Sequence, residues 1–389
     1  MKDKEPEQKR RYFDWAASAM PDTACFTSSA TAPFPFGNPS SLHREGRAAR
    51  DALENARRRC AAVLGVPPQT LYFTSGGTEA NCIVLHSFLA HQSRGRIIAS
   101  EGEHSSIAKN LQMLERNGKP VGRIPVDSSG RVTADLLSKT LEKYGDTRYA
   151  AIMAVNNEIG TINDMAALND ILRNRDGPPI HLHCDTVQAV GKIPLDIALS
   201  GLDSASVSSH KIGGPRGIGL LYLRRPLEVL CSGGGQENNI RPGTENVSGA
   251  LALAACLEKH AQMQNLAAEH EQARQRCKKL LEAFASIDRC RIIPLQREPD
   301  DKRFSPYIMQ AAFADIPGEV MVRALDDLGF AVSTGSACTS ATPERPVLAA
   351  MGIADNVSLE GIRISQGWST TDEEIDLLAD AVREVLKFL

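Results

Sequence analysis

The sequence predicts an α/β chain built on a largely parallel sheet wrapped by helices, followed by a second, smaller domain. Three observations predict it. Short apolar runs alternate with helical ones between Leu71 and Leu223, a long charged helical stretch runs from about Ala250 to Phe284, and further strand-like runs follow. At 389 residues the chain exceeds one simple core. Its 42% hydrophobic and 23% charged residues are those of an ordinary globular protein, which excludes the disordered and fibrous classes. The 44 basic and 47 acidic residues nearly cancel, so neither nucleic acid nor an anionic membrane is an expected partner.

The first forty residues, rich in Pro, Ser, Thr and Gly, read as an irregular arm ending at FGNPSS. A helix follows from Arg47: Ala49, Leu53, Ala56, Cys60 and Leu64 recur at helical spacing until Gly65, Pro67 and Pro68 stop it. LYFT, RIIAS, YAAIMAV, IHLHCD, SASVSSH and GIGLLYL read as strands, with helices through Ile83 and Leu89, near Leu111, and from Ala166 to Leu172. Such a sheet presents ligands at the carboxyl ends of its strands. Beyond the charged stretch, YIMQAAF and FAVS read as strands. The last helix is signalled by the capping-box spacing of Thr371 and Glu374 and the stripe Ile375, Leu378, Val382, Val385 and Leu389. The expected division is a large domain over 15–260 and a small one over 261–389, with residues 1–14 packed near the latter.

MKDKEPEQKRRYFDW mixes acidic with basic residues and has no apolar stretch behind it, so neither a secretory signal nor a transit peptide is expected. No run is long enough to span a bilayer, and the expected location is the cytoplasm. The nine cysteines are scattered without a CxxC pair, which argues against a disulfide framework and a zinc ribbon; no metal site is expected. Cys60, Cys82 and Cys256 fall among apolar residues of helical stretches and read as small hydrophobes, leaving only Cys338 in a small, polar loop.

LYFTSGGTEANCIVL is a strand, a Ser-Gly-Gly turn and a helix opening at Thr78. Two glycines let backbone N–H groups approach an anion, the helix start adds unpaired donors, and Thr78 adds a hydroxyl, which together make a phosphate cradle. Taken alone the motif is also a plain tight turn. Asp185 ends the strand IHLHCD, and Lys211 lies just past SASVSSH. An aspartate and a later lysine at strand ends are what pyridoxal-phosphate (PLP) chemistry needs, the lysine for a Schiff base and the aspartate to keep the pyridine nitrogen protonated. Singly, Lys211 reads as a solvated surface lysine and Asp185 as a helix cap; with the cradle beside them, those readings become poor.

The motifs FTSGGTEAN, EHSSI, NNEIG, HLHCDTVQAVGK, SSHKIGGPRGIG, RPGTEN and TGSACTS, in that order and spacing, resemble the NifS/IscS-like cysteine desulfurases of the class V aminotransferase group. The resemblance runs from about Tyr12 to the carboxyl terminus. It implies the fold type I of PLP-dependent transferases, with a mostly parallel seven-stranded sheet between helices and a smaller α+β domain. It implies Lys211 as the Schiff-base lysine, Asp185 at the pyridine nitrogen, Gln188 and Asn157 on the ring hydroxyl side, and His104 stacked on the ring. Gly77, Thr78, Ser208 and His210 would hold the phosphate, and Arg363, with Asn157 and Asn38, would meet the substrate. Arg363 in GIRIS also suits a carboxylate on its own terms, its planar guanidinium being made for bidentate capture.

The activity implied is removal of sulfur from L-cysteine to give L-alanine and a persulfide on Cys338, with His104 as a proton donor. A loop of small residues suits a thiol that must visit both a buried ring and a partner surface. The sulfur would pass to an acceptor protein, such as an iron-sulfur scaffold or a thiolation carrier. A homodimer is implied too, with Thr244 of RPGTEN reaching the neighbouring subunit's phosphate. Selenocysteine lysis and other class V reactions on the same fold stay open, as does a silent docking protein, which the presence of Lys211, Asp185 and Cys338 disfavours. Three departures lie beside the phosphate or the lysine: GGT for the common GAT, SSHK for SGHK, and IGGP for an aromatic-containing IYGP.

Overall fold

The alternating apolar runs assemble into the expected seven-stranded, mostly parallel sheet. A computed structural model describes residues 9–29, 36–90, 95–335 and 345–389 of the chain. In chain order these include β1 (Arg11–Tyr12), α1 (Thr23–Ser29), α2 (Arg44–Leu64), β2 (Leu71–Thr74), α3 (Gly77–Ala90), β3 (Arg96–Ser100), α4 (Ser105–Arg116), β4 (Val121–Ile124) and α5 (Ala134–Lys143). Then come β5 (Thr147–Ala151), α6 (Met165–Asn174), β6 (His181–Asp185), β7 (Ser204–Ser208), β8 (Gly219–Leu223), α7 (Val247–His260) and α8 (Met263–Ala285). The chain closes with β9 (Cys290–Ile293), β10 (Ile308–Phe313), α9 (Gly318–Asp327), β11 (Phe330–Ala331), α10 (Pro346–Ala350), α11 (Asp355–Glu360), β12 (Gly361–Ser365) and α12 (Asp372–Phe388).

The large sheet has the order β2-β8-β7-β6-β5-β3-β4. Its strands are buried on both faces, which is why they read as continuous apolar runs rather than alternating ones. The antiparallel member is β8, because the chain doubles straight back from β7. β2 runs antiparallel to β8 in turn, and so parallel to the rest. The carboxyl ends of β2, β3, β5, β6 and β7 therefore share one edge, and the β7–β8 turn that carries Lys211 lies on it. The edge strand β4 was not read from the sequence; its buried residues alternate, and four residues, VGRI, give too short a signal.

A second sheet, β12-β10-β9, is antiparallel and packs under α8, α9 and α12 around Phe13, Phe284 and Phe313. Two expectations need correction. The stretch 250–284 is two helices, α7 and α8, parted at Gln262, whose backbone is extended. No Gly or Pro marks that break: α7 packs on α1 and α2, whereas α8 packs on β9 and α12, and tertiary packing overrides helix propensity. The amino-terminal arm is also more than irregular: β1 pairs in parallel with β11, Phe13 is fully buried, and α1 packs on α7. Among the described residues, no helix is long and apolar enough to cross a membrane.

One buried ion pair ties the glycine-rich 232–245 segment to the sheet. Arg57 of α2 donates to both oxygens of Glu237 at 2.7 Å, and Glu237 also accepts from the Phe73 N–H. Arg57→Ala leaves a carboxylate buried without its partner, so it should cost roughly 3–5 kcal/mol of stability. Denaturant unfolding measures this; Lys139→Ala, which removes an exposed helix pair, serves as the control and should not shift the midpoint measurably.

Candidate active site

A cavity of about 1080 Å³ opens at the shared carboxyl edge, lined among others by Thr78, His104, Asp185, Gln188, Lys211 and Arg363. Asp185 is the last residue of β6 and is buried. One of its carboxylate oxygens accepts from the Val187 N–H at 3.0 Å, the other from Asn81 Nδ2 at 2.8 Å. Because the carboxylate only accepts, the Asn81 amide must present its nitrogen there, and its oxygen faces His183 Nε2 at 2.9 Å. His183 must then carry its proton on Nε2. Burial pushes its pKa down to about 3, so it stays neutral, and Nδ1 is left to accept from the Ser204 hydroxyl at 2.8 Å. Asp185 is thus fixed in place by neutral donors.

Lys211 follows β7 by a single turn. Its Nζ donates to the carbonyls of Ala16 at 2.6 Å and Ala17 at 2.8 Å. Burial, with Arg363 adding to it, lowers its pKa to about 8, so a useful fraction is the free amine near neutrality. His104 caps α4 at the end of the β3 connection; its Nδ1 faces the Ser106 N–H at 3.2 Å and the Ser106 hydroxyl at 2.8 Å. Accepting there puts the ring proton on Nε2. Burial lowers the His104 pKa, so the ring is neutral with a proton to give.

Gly77 and Thr78 open α3 after Gly76, whose φ of +151° suits glycine. A Cβ on Gly77 would lie 2.5 Å from Val187 Cγ2. Ser208, His210 and Arg216 face the same hollow, so hydroxyls, helix N–H groups and a guanidinium converge on one anion site. Gln188 is buried and donates to the Ala16 carbonyl at 2.9 Å, and its own oxygen accepts from Lys192, whose pKa burial lowers to about 7. Arg363 lies on β12, its Nη2 on Asp14 at 2.8 Å and its Nη1 on the Asn157 carbonyl at 3.0 Å; its Nε has no partner. That leaves a donor, with the second Nη2 hydrogen, for a side-on carboxylate.

Gly77, Thr78, His104, Asn157, Asp185, Gln188, Ser208, His210, Lys211 and Arg363 therefore line one cavity. Thr244 and Asn38 are exposed and stand outside it on the single chain. Cys338 lies outside the described residues, between Gly335 and Pro346, which both line the cavity. Among the described residues Cys231 is exposed in a loop, at the start of a Gly-rich run, a second candidate thiol that the sequence reading passed over. Sequence reasoning missed Asp14, Asn81, Glu103, Glu158, Lys192 and Arg216. Asn81 stands within FTSGGTEAN, so its motif was visible while its role was not. Glu103 and Glu158 adjoin His104 and Asn157; burial raises both carboxyls, Glu158 to about 7. The donor set fits a flat heterocycle carrying a phosphate: an anion cradle, a carboxylate held by neutral donors, an amine and an imidazole.

Comparison with known proteins agrees with this geometry. The aminotransferase class-V family model matches residues 11–378. A NifS/IcsS protein homolog of Lactobacillus delbrueckii subsp. bulgaricus is 39% identical over 382 residues, covering 96% of each chain. Cysteine desulfurase IscS of Dictyoglomus turgidum is 36% identical over 387 residues, covering 97% of this chain and 95% of its own. Among solved structures, a NifS-like protein superposes with a TM-score of 0.88 at 32% identity, over 98% of this chain and all 100% of that one. The structure of SspA in complex with cysteine does so with a TM-score of 0.77 at 27% identity, over 91% and 98%. The chain belongs to the class-V aminotransferase family, in company with the NifS and IscS proteins.

Proposed function

We propose that the chain is a PLP-dependent cysteine desulfurase that moves the sulfur of L-cysteine onto Cys338 and releases L-alanine. The observation that carries this is the meeting, in one cavity, of the Lys211 amine, the Asp185 carboxylate, the Gly76–Thr78 cradle and the Arg363 guanidinium. Relatives named cysteine desulfurase IscS and a solved structure holding cysteine support it. Bound there, PLP would supply an electron sink for charge developing at the amino-acid α carbon.

The chain's own residues do the rest. Arg363 holds the substrate carboxylate through Nε and Nη2. Lys211 Nζ, free of its proton near pH 8, takes the α proton and returns one to the α carbon as alanine forms, and the Ala16 and Ala17 carbonyls hold the protonated amine in between. Asp185 holds the proton of the ring nitrogen. Cys338 attacks the substrate sulfur: a sulfur–sulfur bond forms as the Cβ–sulfur bond breaks. Of the two thiol hydrogens, one ends on the alanine methyl, for which His104 Nε2–H is the donor, and one remains on the persulfide.

The same proposal includes a cytoplasmic homodimer that hands sulfur to an iron-sulfur scaffold or thiolation carrier. Exposure of Thr244, away from the cavity of its own chain, supports a shared site. The division into 15–260 and 261–389 is supported by the α7–α8 break and by the apolar core drawn from residues 277–385, which Phe13 joins, while Val347, Leu348 and Met351 pack with the large-domain core.

Alanine and persulfide formation from L-cysteine is the direct test. Lys211→Ala should lose about 10²–10⁴-fold or more of alanine formation. Cys338→Ser should keep the yellow colour and cysteine binding and form no persulfide by mass spectrometry; persulfide on another cysteine, with Cys338 unmodified, counts against the reading. For pH, the neutral amine is the nucleophile, so PLP capture by the cofactor-free protein should speed up as pH rises through about 8 and then level off. A stopped-flow rate still climbing toward the ordinary lysine range, about 10.4, contradicts this. Mixing Lys211→Ala chains with Thr244→Ala chains should restore roughly a quarter of wild-type activity if Thr244 serves its neighbour, and none if each chain builds its own site.

A further inference from the structure

Beside the Lys211 turn lies a second cluster of reactive groups that the desulfurase reading does not use. Asp22 precedes α1, Cys25 sits in its first turn, and His260 ends α7; all three are buried. A carboxylate oxygen, a thiol sulfur and an imidazole nitrogen from these residues lie within 4.8 Å of one another. Cys256, one turn before His260 on the same helix, touches Cys25. Nearby, the fully buried Ser209 hydroxyl has no partner; it and Cys256 Sγ lie 2.1 and 3.3 Å from the position of a Cβ on Gly214.

This cluster is linked to the active site through the backbone. The Asp22 N–H donates to the Gly213 carbonyl at 2.8 Å, two residues past Lys211, and the Ala19 N–H donates to the His210 carbonyl at 2.9 Å. Gly213 and Gly214 carry no side chains, so residues 20–22 pack directly on the turn; a Cβ on Gly213 would lie 3.2 Å from the Met20 carbonyl. The His260 ring is held by stacking on Trp368, centroids 5.3 Å apart, with Nε2 aimed at Asp22.

We propose that Asp22, Cys25 and His260 bind one divalent metal ion of the zinc class, with Cys256, which touches Cys25 but lies outside the 4.8 Å group, turned in as fourth ligand, and that the ion clamps the amino-terminal arm to the Lys211 turn. Two thiols, an imidazole and a carboxylate from two elements, the start of α1 and the end of α7, make the mixed S, N and O set that suits tetrahedral zinc, and Cys256 and His260 have the i, i+4 spacing that puts two ligands on one helix face. Burial raises the pKa of both thiols, with the nearby carboxylate adding to it, so without a cation they stay protonated. A metal ion reverses that preference and deprotonates coordinating thiols. On entry it releases the two thiol protons to solvent, the His260 ring proton moves from Nε2 to Nδ1 so that Nε2 can ligate, and the ion replaces two hydrogen-bonded contacts on Asp22 Oδ2, from His260 Nε2 at 2.9 Å and Lys259 Nζ at 2.5 Å. Lys259 is half exposed and can swing to solvent, which also supplies the path of entry.

The test is titration of chelator-treated, cofactor-loaded protein with Co²⁺, followed by displacement with Zn²⁺. One equivalent of Co²⁺ should give a thiolate-to-cobalt charge-transfer band and tetrahedral visible bands, lost on adding one equivalent of Zn²⁺. Cys25→Ser and His260→Gln should each weaken binding by more than the roughly 10–100-fold expected for losing a supporting partner, while Cys338→Ser retains the full signal. Zn²⁺ should raise the Tm of the wild type and leave that of His260→Gln unchanged. The wild-type titration decides the matter even if a variant fails to fold: absence of a thiolate band there overturns the site. So does a band that survives both Cys25→Ser and His260→Gln.

Discussion

A buried amine must be met by oxygen atoms, and in this chain the oxygens that meet Lys211 belong to residues almost two hundred positions earlier. The carbonyls of Ala16 and Ala17 take its hydrogens, and the Ala16 carbonyl also anchors Gln188. Two residues earlier, Asp14 pairs with Arg363. One short stretch therefore holds the Lys211 amine, the Gln188 amide and the Arg363 guanidinium in fixed relation. The stretch is itself held by β1 on β11 and by Trp15 packed edge-on against Trp368. Both units of the fold must be in place before the cavity has its shape, which is how a site drawn from β6, β7 and β12 can be kept to hydrogen-bond precision.

Burial sets the chemistry as well as the geometry. Placing Lys211 and Arg363 on one cavity, with Lys192 buried behind Gln188, lowers the proton affinity of the lysines, because each ammonium loses water and meets like charge. The acids respond in the opposite sense: Glu103 and Glu158 hold protons at higher pH than exposed carboxyls, mainly because desolvation penalises their charge. His104, His183 and His210 all titrate below the ordinary range for the same reason. A cavity of neutral imidazoles and an amine near half-protonation is suited to passing single protons about a bound amino acid.

Legibility in the sequence followed the range of the contacts. Local patterns were readable: the strand LYFT and its glycine turn, the strand end at Asp185, the lysine after SASVSSH, and the capping box of α12, whose two reciprocal bonds form as the spacing implies. Contacts between distant segments were not. Asp14 in YFDWAAS carries no local signal of its pairing with Arg363, and Lys192 reads as an ordinary lysine after a glycine although it is fully buried against Gln188. Asn81 reads as a helix-surface amide in a helix whose apolar residues face nearly all round, so periodicity could not assign it to Asp185. The α7–α8 break was invisible for the same reason, since it answers to two different packing partners rather than to a residue at the break.

The three departures from the family pattern beside the phosphate and the lysine each sit against a close neighbour. Where GAT would place a methyl on residue 77, Val187 Cγ2 already fills the space, so glycine there keeps the cradle from being pushed open. The Ser209 hydroxyl of SSHK lies 2.1 Å from where a Cβ on Gly214 would stand, in room left open by a residue that is glycine in IGGP and IYGP alike. At Gly213, the aromatic of the usual motif is missing and the arm residues Met20 and Asp22 press in instead. Each changed position has a close neighbour, and none of the changes replaces Thr78, Ser208 or His210. Protein interiors feel a volume change of a single methylene, and such exchanges are how the interior behind a cofactor site can change while its donor atoms stay where the chemistry requires them.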